Sequence, residues 1–292
     1  MQLFDTYFTG PALDGLSALV DRALDEDGRD LTSEAVFGPT DQARAEIVAK
    51  QQIVLAGLPL IPLVLDRAGA RCGVAGTASC RFLARDGEAV SPDAVVAELD
   101  GPARTLLLAE RTLLNFVTHL SGVATLTASY VGQLEGSATR LLDTRKTLPG
   151  LRRLEKYAVR VGGGRNHRMD LGEMCMLKDN HIDRAGGIGP AVAAVRGLPG
   201  HPPIEVECRT LDEVRQAVAL GVERIMLDNM DLAVMREALA FVPSGIETEI
   251  SGNVDLDALA ALGRLGADYV SVGRITHSAP AADLSMRMIV KK

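Results

Sequence analysis

Thr144, Arg145 and Lys146 follow one another directly, and Arg165, His167, Arg168 and Lys178 come soon after. Residues 143–182 hold nine lysines and arginines against five acids, a local excess of four in a chain whose net charge is −7. A solvated helix face would mix the signs, whereas these cations sit at turns beside glycines. A concave basic site on an acidic protein suits a multiply anionic small molecule rather than a nucleic acid. His167 alone reads as a structural histidine; flanked by Arg165, Arg168 and Lys178 it reads as an anion ligand. Gly162, Gly163 and Gly164 permit a tight turn but form no P-loop, because no Gly-Lys-Ser/Thr follows.

Two acids and two glycine turns complete the candidate set. Glu207 and Asp228 end successive apolar runs, so their carboxylates can face one cavity. There they could hold Mg²⁺, bind ribose hydroxyls or steady a cationic transition state; an ion pair without chemistry is the plainer alternative. Ser251-Gly252-Asn253 and Gly273-Arg274 close two later runs, where glycine lets backbone N–H groups approach a phosphate; ordinary turn chemistry explains such pairs about as often. His277 fits either a site or a structural role, and His119 and His201 read as structural. Arg111 and Asn115, four apart, share one helix face that points at a site or at solvent.

The elements that must position these residues show in the periodicity. After residue 139, short apolar runs at 140–143, 174–178, 204–207, 224–228, 248–251 and 269–273 alternate with helical segments. One of these, 211–219, carries Thr210 and Glu213 as an N-cap/N3 pair. Charged residues or glycines stand at the end of each run: Asp143, Lys178, Glu207, Asp228, Ser251-Gly252 and Gly273. In a (β/α) barrel the strands' carboxyl ends ring one mouth, whereas an open sheet gathers only some of them at its switch point. A barrel with about six strands, fewer than the usual eight, fits best. Upstream, residues 1–40 read as a helix and a turn. Residues 43–99 read as short β-prone runs around one helix at 60–68, an α+β domain with an antiparallel sheet. Residues 104–134 read as one long helix, or two with a break at Gly122.

The bulk numbers exclude several classes. A pI near 5.3 argues against a general nucleic-acid binder. The longest apolar run, 53–65, contains Pro59 and Pro62 and is too short to span a bilayer. The first ten residues lack a signal-peptide layout. The four cysteines form no C-x-x-C pair, so reduced thiols in a cytoplasmic protein are expected.

Longer motifs then carry a resemblance. E-R-T-L-L-N-F (110–116), L-S-G-V-A-T (120–125), D-T-R-K-T-L-P-G (143–150), E-K-Y-A-V-R-V-G-G-G-R-N-H-R (155–168), K-D-N-H (178–181), I-M-L-D-N-M (225–230) and S-V-G-R-I-T-H-S-A-P (271–280) resemble the quinolinate phosphoribosyltransferases. These are the carboxylating nicotinate-nucleotide pyrophosphorylases, and the likeness runs essentially end to end. The resemblance implies an N-terminal α/β sandwich domain (1–112, rejoined by 279–292) and an incomplete barrel (113–278). It implies an enzyme of NAD biosynthesis that transfers phosphoribosyl from PRPP to quinolinate with decarboxylation, using Mg²⁺. By motif position, Thr144, Arg145, Lys146, His167, Arg168 and Lys178 correspond to anion-binding residues, with Lys146, Glu207 and Asp228 in the chemistry. Glu207 and Asp228 lie near ribose and Mg²⁺, contacting the ion directly or indirectly. Ser251, Gly252, Asn253, Gly273, Arg274 and His277 surround the 5′-phosphate. Members form homodimers or higher oligomers, and Arg111 corresponds to an arginine lent to the neighbouring subunit. Two positions depart from the pattern: Ile250 stands where a small residue is commoner, and Asp170 where glycine is expected. Asp170 is expected to face a basic neighbour or solvent.

Overall fold

The computed structural model describes residues 3–74 and 76–289. The chain separates into two compact units, Met1–Leu126 with Arg153–Gly162 and Ala279–Lys292, and Thr127–Arg152 with Gly163–Ser278.

The first unit begins with helices α1 (Leu3–Tyr7), α2 (Pro11–Asp27) and α3 (Leu31–Val36). In α2, Pro11 opens the helix and Leu16, Val20 and Leu24 recur every fourth residue on its buried face. Asp30 caps α3, its Oδ1 accepting from Ser33 N at 2.9 Å. Strands β1 (Gln42–Ala49) and β2 (Ile53–Val54), helix α4 (Leu60–Cys72), strands β3 (Ser79–Phe82), β4 (Ala89–Val90) and β5 (Val95–Pro102), and helix α5 (Ala103–Gln133) follow. The main sheet is antiparallel, as the patterning predicts. Its order is β12-β1-β5-β3, where β12 (Leu284–Ile289) comes from the far end of the sequence. Helix α5 is continuous. Gly122 does not break it but makes room, since a Cβ there would lie 2.1 Å from Pro280 O.

The first compact unit extends along α5 to Leu126, beyond the 1–112 expected from sequence, and the helix runs unbroken past both positions. Residues 153–162, assigned by sequence to the barrel, also belong to the first unit. In that segment, most of helix α6 (Arg152–Val161), the Tyr157 ring meets Phe4 edge-on at 5.4 Å between centroids, and its hydroxyl donates to Asp86. His119 Nε2 lies 2.9 Å from the buried Glu155 Oε1, in keeping with the structural role expected for His119.

The second unit alternates strand and helix. It comprises β6 (Arg140–Leu142), β7 (Cys175–Leu177), α7 (Asp179–Ala185), α8 (Ile188–Arg196), β8 (Ile204–Cys208), α9 (Leu211–Leu220), β9 (Arg224–Asp228), α10 (Leu232–Phe241), β10 (Glu247–Ser251), α11 (Leu259–Gly263), β11 (Tyr269–Ser271) and α12 (Arg274–His277). Thr210 and Glu213 form the expected capping box at α9. All six strands are parallel, in the order β6-β11-β10-β9-β8-β7. Among the described residues β6 and β7 do not pair with each other, so the ring is incomplete. The outward residues Val206, Ile225, Leu227, Ile250 and Val270 are all buried. Ile250 thus faces away from the lumen, and its bulk does not intrude there. No described helix is long and apolar enough to cross a membrane.

Candidate active site

Period-two alternation sends every second strand residue into the lumen, and the strand ends frame a cavity of about 900 Å³ within the second unit. Its geometry begins at Asp143. This side chain is buried; Oδ1 accepts from His167 N at 2.9 Å and Oδ2 from Asn166 Nδ2 at 2.6 Å. Arg165 N donates to Leu141 O (2.8 Å) and Asp143 N to Arg165 O (3.0 Å), so Arg165 forms a single bridge to the end of β6. Asp143 is therefore a latch that delivers His167 and Arg168 to the site, not a group facing the cavity.

Beyond Asp143 the chain turns through Thr144, whose Oγ1 accepts from Lys146 N at 2.9 Å. Thr276, buried in α12, donates to Lys146 O at 2.7 Å and ties that turn to the end of β11. Gly273 leaves room there for the turn, since a Cβ would come within 3.0 Å of Lys146 Cδ and 3.3 Å of Thr144 Oγ1, so a larger residue would press on both side chains. Arg145 and Arg168 both line the cavity. Burial and the charge of Arg145 hold the Arg168 guanidinium below its ordinary value. Two cations disfavouring each other in a half-buried space are poised to take an anion between them.

Across the mouth, Lys178 Nζ donates to Glu207 Oε2 at 2.8 Å, linking the ends of β7 and β8. Asp228 ends β9 and accepts through Oδ2 from Asn229 Nδ2 at 2.9 Å. Each acid thus spends one oxygen on a protein partner. Two hard carboxylates on adjacent strand ends fit Mg²⁺, which typically takes one or two protein carboxylates and completes its shell with phosphate and water. Ser251, Gly252 and Asn253 line the same cavity, as do Gly273, Arg274 and His277.

Beneath these groups lies a buried cluster that strand-end reasoning missed. Glu205 and Glu249 are fully buried, and their oxygens lack well-aligned hydrogen bonds. His167 Nε2 lies 3.1 Å from Glu205 Oε2 and 3.5 Å from Glu249 Oε2. Burial pushes the Glu205 carboxyl up to about 7, and burial with the charge of Glu205 pushes Glu249 up to about 8. The three ligand atoms lie within 4.8 Å of one another, a spacing that a cation could bridge. The histidine tautomer opposes this. Its Nδ1 accepts from Arg168 N at 2.7 Å, so the neutral ring carries its proton on Nε2, and a protonated nitrogen cannot ligate. The cluster is a carboxyl pair facing an oriented imidazole, not a metal centre.

Of the residues selected from sequence, Thr144, Arg145, Lys146, His167, Arg168, Lys178, Glu207, Asp228, 251–253, Gly273, Arg274 and His277 line this cavity, whereas Asp143 and Arg165 do not; Arg111 stands exposed on α5 in the first unit. His167 lines the cavity but is buried, with both ring nitrogens turned to protein partners. Asp170 is exposed and accepts from Gly172 N at 2.8 Å, which leaves it on the solvent side. His201 Nδ1 lies 2.9 Å from Pro202 O, in keeping with a structural role. Missed were Glu205, Glu249, Asn229 and Thr276. The first two were legible in principle: each precedes a selected strand-end residue by two, which puts it on the same lumen face.

A model of the quinolinate phosphoribosyl transferase C-terminal domain matches residues 123–287, and one of the N-terminal domain matches residues 30–121. The nicotinate-nucleotide pyrophosphorylase (carboxylating) of Mycobacterium leprae is 38% identical over 275 residues, covering 91% of this chain and 94% of that protein. Among solved structures, the nicotinate-nucleotide pyrophosphorylase from Francisella tularensis superposes with a TM-score of 0.90 at 35% identity, over 97% of this chain and 99% of that one. NadC from Streptococcus pyogenes gives 0.89 at 39% identity, over 96% and 98%. With both domains matched in order and relatives aligned over nearly the whole length, the chain belongs to the quinolinate phosphoribosyl transferase family.

Proposed function

We propose that this cavity transfers the phosphoribosyl group of PRPP to the ring nitrogen of quinolinate and releases CO₂ and pyrophosphate, leaving nicotinate mononucleotide for NAD biosynthesis. One observation carries the reading: a single cavity of about 900 Å³ is lined by Arg145, Lys146, Arg168 and Lys178 and also by Glu207 and Asp228. Cations for three anionic groups and acids for one developing cation are what this reaction needs.

Arg145 and Arg168 receive the two ring carboxylates, whose charge relieves the repulsion between the guanidiniums. Lys146 and Lys178 stabilise charge gathering on the departing pyrophosphate. As the C1′–O bond breaks, C1′ gains oxocarbenium character, and Glu207 and Asp228 stabilise it through space. The 251–253 loop and Gly273, with Arg274 and His277 beside them, hold the 5′-phosphate. Once the ring nitrogen is cationic, the C2–carboxylate bond breaks with its electron pair left beside that positive charge. CO₂ departs and a proton takes its place, so no separate decarboxylating residue is required.

Mg²⁺ would be held by Glu207 and Asp228, directly or through water, and would supply charge neutralisation for the diphosphate. The working unit is a homodimer or larger homo-oligomer in which Arg111, exposed on α5, serves a neighbouring subunit's site. A reducing cytoplasmic setting accords with four free cysteines. The test is purified protein with quinolinate, PRPP and Mg²⁺, with nicotinate replacing quinolinate as control. Nicotinate mononucleotide from quinolinate alone supports the reading; product from neither sinks it.

A further inference from the structure

Asn229 follows β9 at the cavity rim and has a left-handed backbone, φ 52°, which non-glycine residues adopt sparingly and asparagine most readily. Its backbone N donates to Ser251 O at 3.0 Å. Its side chain faces two ways: Nδ2 donates to Asp228 Oδ2 at 2.9 Å, while Oδ1 lies 3.4 Å from Asn253 Nδ2. The orientation of the amide follows from chemistry, because a flipped amide would set its oxygen against the Asp228 carboxylate. That same Oδ1 occupies the place of a side chain at position 252. A Cβ on Gly252 would lie 2.2 Å from it, and Gly252 (φ 99°) and Asn253 (φ 46°) are themselves left-handed. Two non-glycine residues in the left-handed region, Asn229 and Asn253, therefore meet beside Gly252 around one carboxamide, and such backbone clustered at a cavity is a mark of a constrained functional loop.

We propose that Asn229 is a positioning residue that couples the Asp228 carboxylate to the 251–253 loop, so that one amide sets both the acid facing the ribose and the backbone facing the 5′-phosphate. This assignment rests on the reaction proposed above and adds a residue to it. Rotating Asp228 breaks the Nδ2 bond, and shifting the loop disturbs the Oδ1 contact, so the two positions move together. The two halves of a ribose 5-phosphate ligand are thereby aligned by a group that contacts neither of the ring carboxylates' cations.

Asn229→Gly tests it, because glycine accepts the left-handed backbone and removes only the side chain. Asn229→Asp keeps the shape but sets a second acid against Asp228. Steady-state kinetics on the full-length protein are expected to show KM for PRPP raised about tenfold or more in both variants, with KM for quinolinate within about twofold; a tenfold change corresponds to about 1.4 kcal/mol. Calorimetry with ribose 5-phosphate is expected to show a parallel loss of affinity, with melting temperatures of Asn229→Gly and the unsubstituted protein close together. A PRPP KM unchanged in Asn229→Gly, or both KM values rising together, overturns the proposal. Unsubstituted protein that makes no nicotinate mononucleotide, yet binds ribose 5-phosphate in an Asn229-dependent way, overturns the reaction and supports the coupling. Failure to bind ribose 5-phosphate at all overturns both.

Discussion

Replacing Glu249 with Gln removes one titration from the centre of the barrel. Glu249 is fully buried on β10; it meets Glu205 from β8, Ser271 from β11, Arg224 Nη1 from β9 at 3.5 Å and His167 Nε2 at 3.5 Å. Burial and Glu205 push its carboxyl from 4.5 up to about 8, while His167 and Arg224 oppose the shift without cancelling it. The folded pKa is thus above the unfolded one. The folded state holds a proton that the unfolded state has released, so this contribution is fully present at low pH and is lost as pH rises toward the folded value. One such proton gives a slope of about 1.4 kcal/mol per pH unit, or about 2–3 kcal/mol between about pH 5.5 and about pH 7.5. Glutamine stays neutral throughout and has no such slope. Glu205, pushed up to about 7, titrates in both proteins but is coupled to position 249, so the difference between parent and variant reads the carboxyl pair rather than Glu249 alone. Thermal melts of both proteins across this range are expected to show Glu249→Gln gaining several degrees on the parent as pH rises. A difference that stays constant with pH would mean that Glu249 is already ionised in the folded barrel, and the account of a neutral carboxyl facing His167 would fail.

Three further outcomes follow from named contacts. Arg145→Ala is expected to lose about 2–4 kcal/mol of transition-state stabilisation, read as a drop of two to three decades in kcat/KM for quinolinate; near-normal activity would remove Arg145 from the mechanism. Mixing inactive Arg111→Ala with inactive Arg145→Ala protein is expected to restore about a quarter of full activity for a two-fold dimer, since half the dimers are mixed and each holds one intact site. Mixtures that stay dead would refute a lent Arg111. Tyr157→Phe is expected to destabilise the first unit by about 1–3 kcal/mol in urea melts, because Asp86, which also accepts from Gly57 N and Leu58 N, is raised by burial and loses a donor; an unchanged midpoint would show that water replaces the hydroxyl.

The barrel was legible because its rule is local. Each strand is a short apolar run, and the lumen-facing group after it announces itself by type, as at Lys178, Glu207 and Asp228. The observed strands agree with the runs to within a residue or two. The floor was harder to see, since Glu205 and Glu249 sit inside those runs, where a buried acid looks like an interruption until parity assigns it to the lumen. The extent of the first unit was illegible for a different reason. Nothing around 153–162 says that Tyr157 will meet Phe4 and Asp86, because those partners are distant in sequence and the pairing depends on tertiary packing. Helix α5 could be read either way at Gly122, since the close approach of Pro280 O, which makes glycine necessary there, is again non-local.

The pairing of β1 with β12 has a consequence for how the chain is made. Ala45 lies opposite Met288, and Arg287 Nε donates to Glu46 Oε2 across 241 positions of sequence. Contacts of such separation close late, because the loop between them must be ordered first. On the ribosome, β1 can pair with β5 soon after both emerge, yet its other edge stays open until residues 284–289 leave the exit tunnel. An unpaired strand edge is a template for association with other chains. Throughout synthesis of the barrel, the nascent protein therefore carries an exposed edge, and its exposure to chaperones and to misassembly is set by translation time more than by the stability of the finished fold.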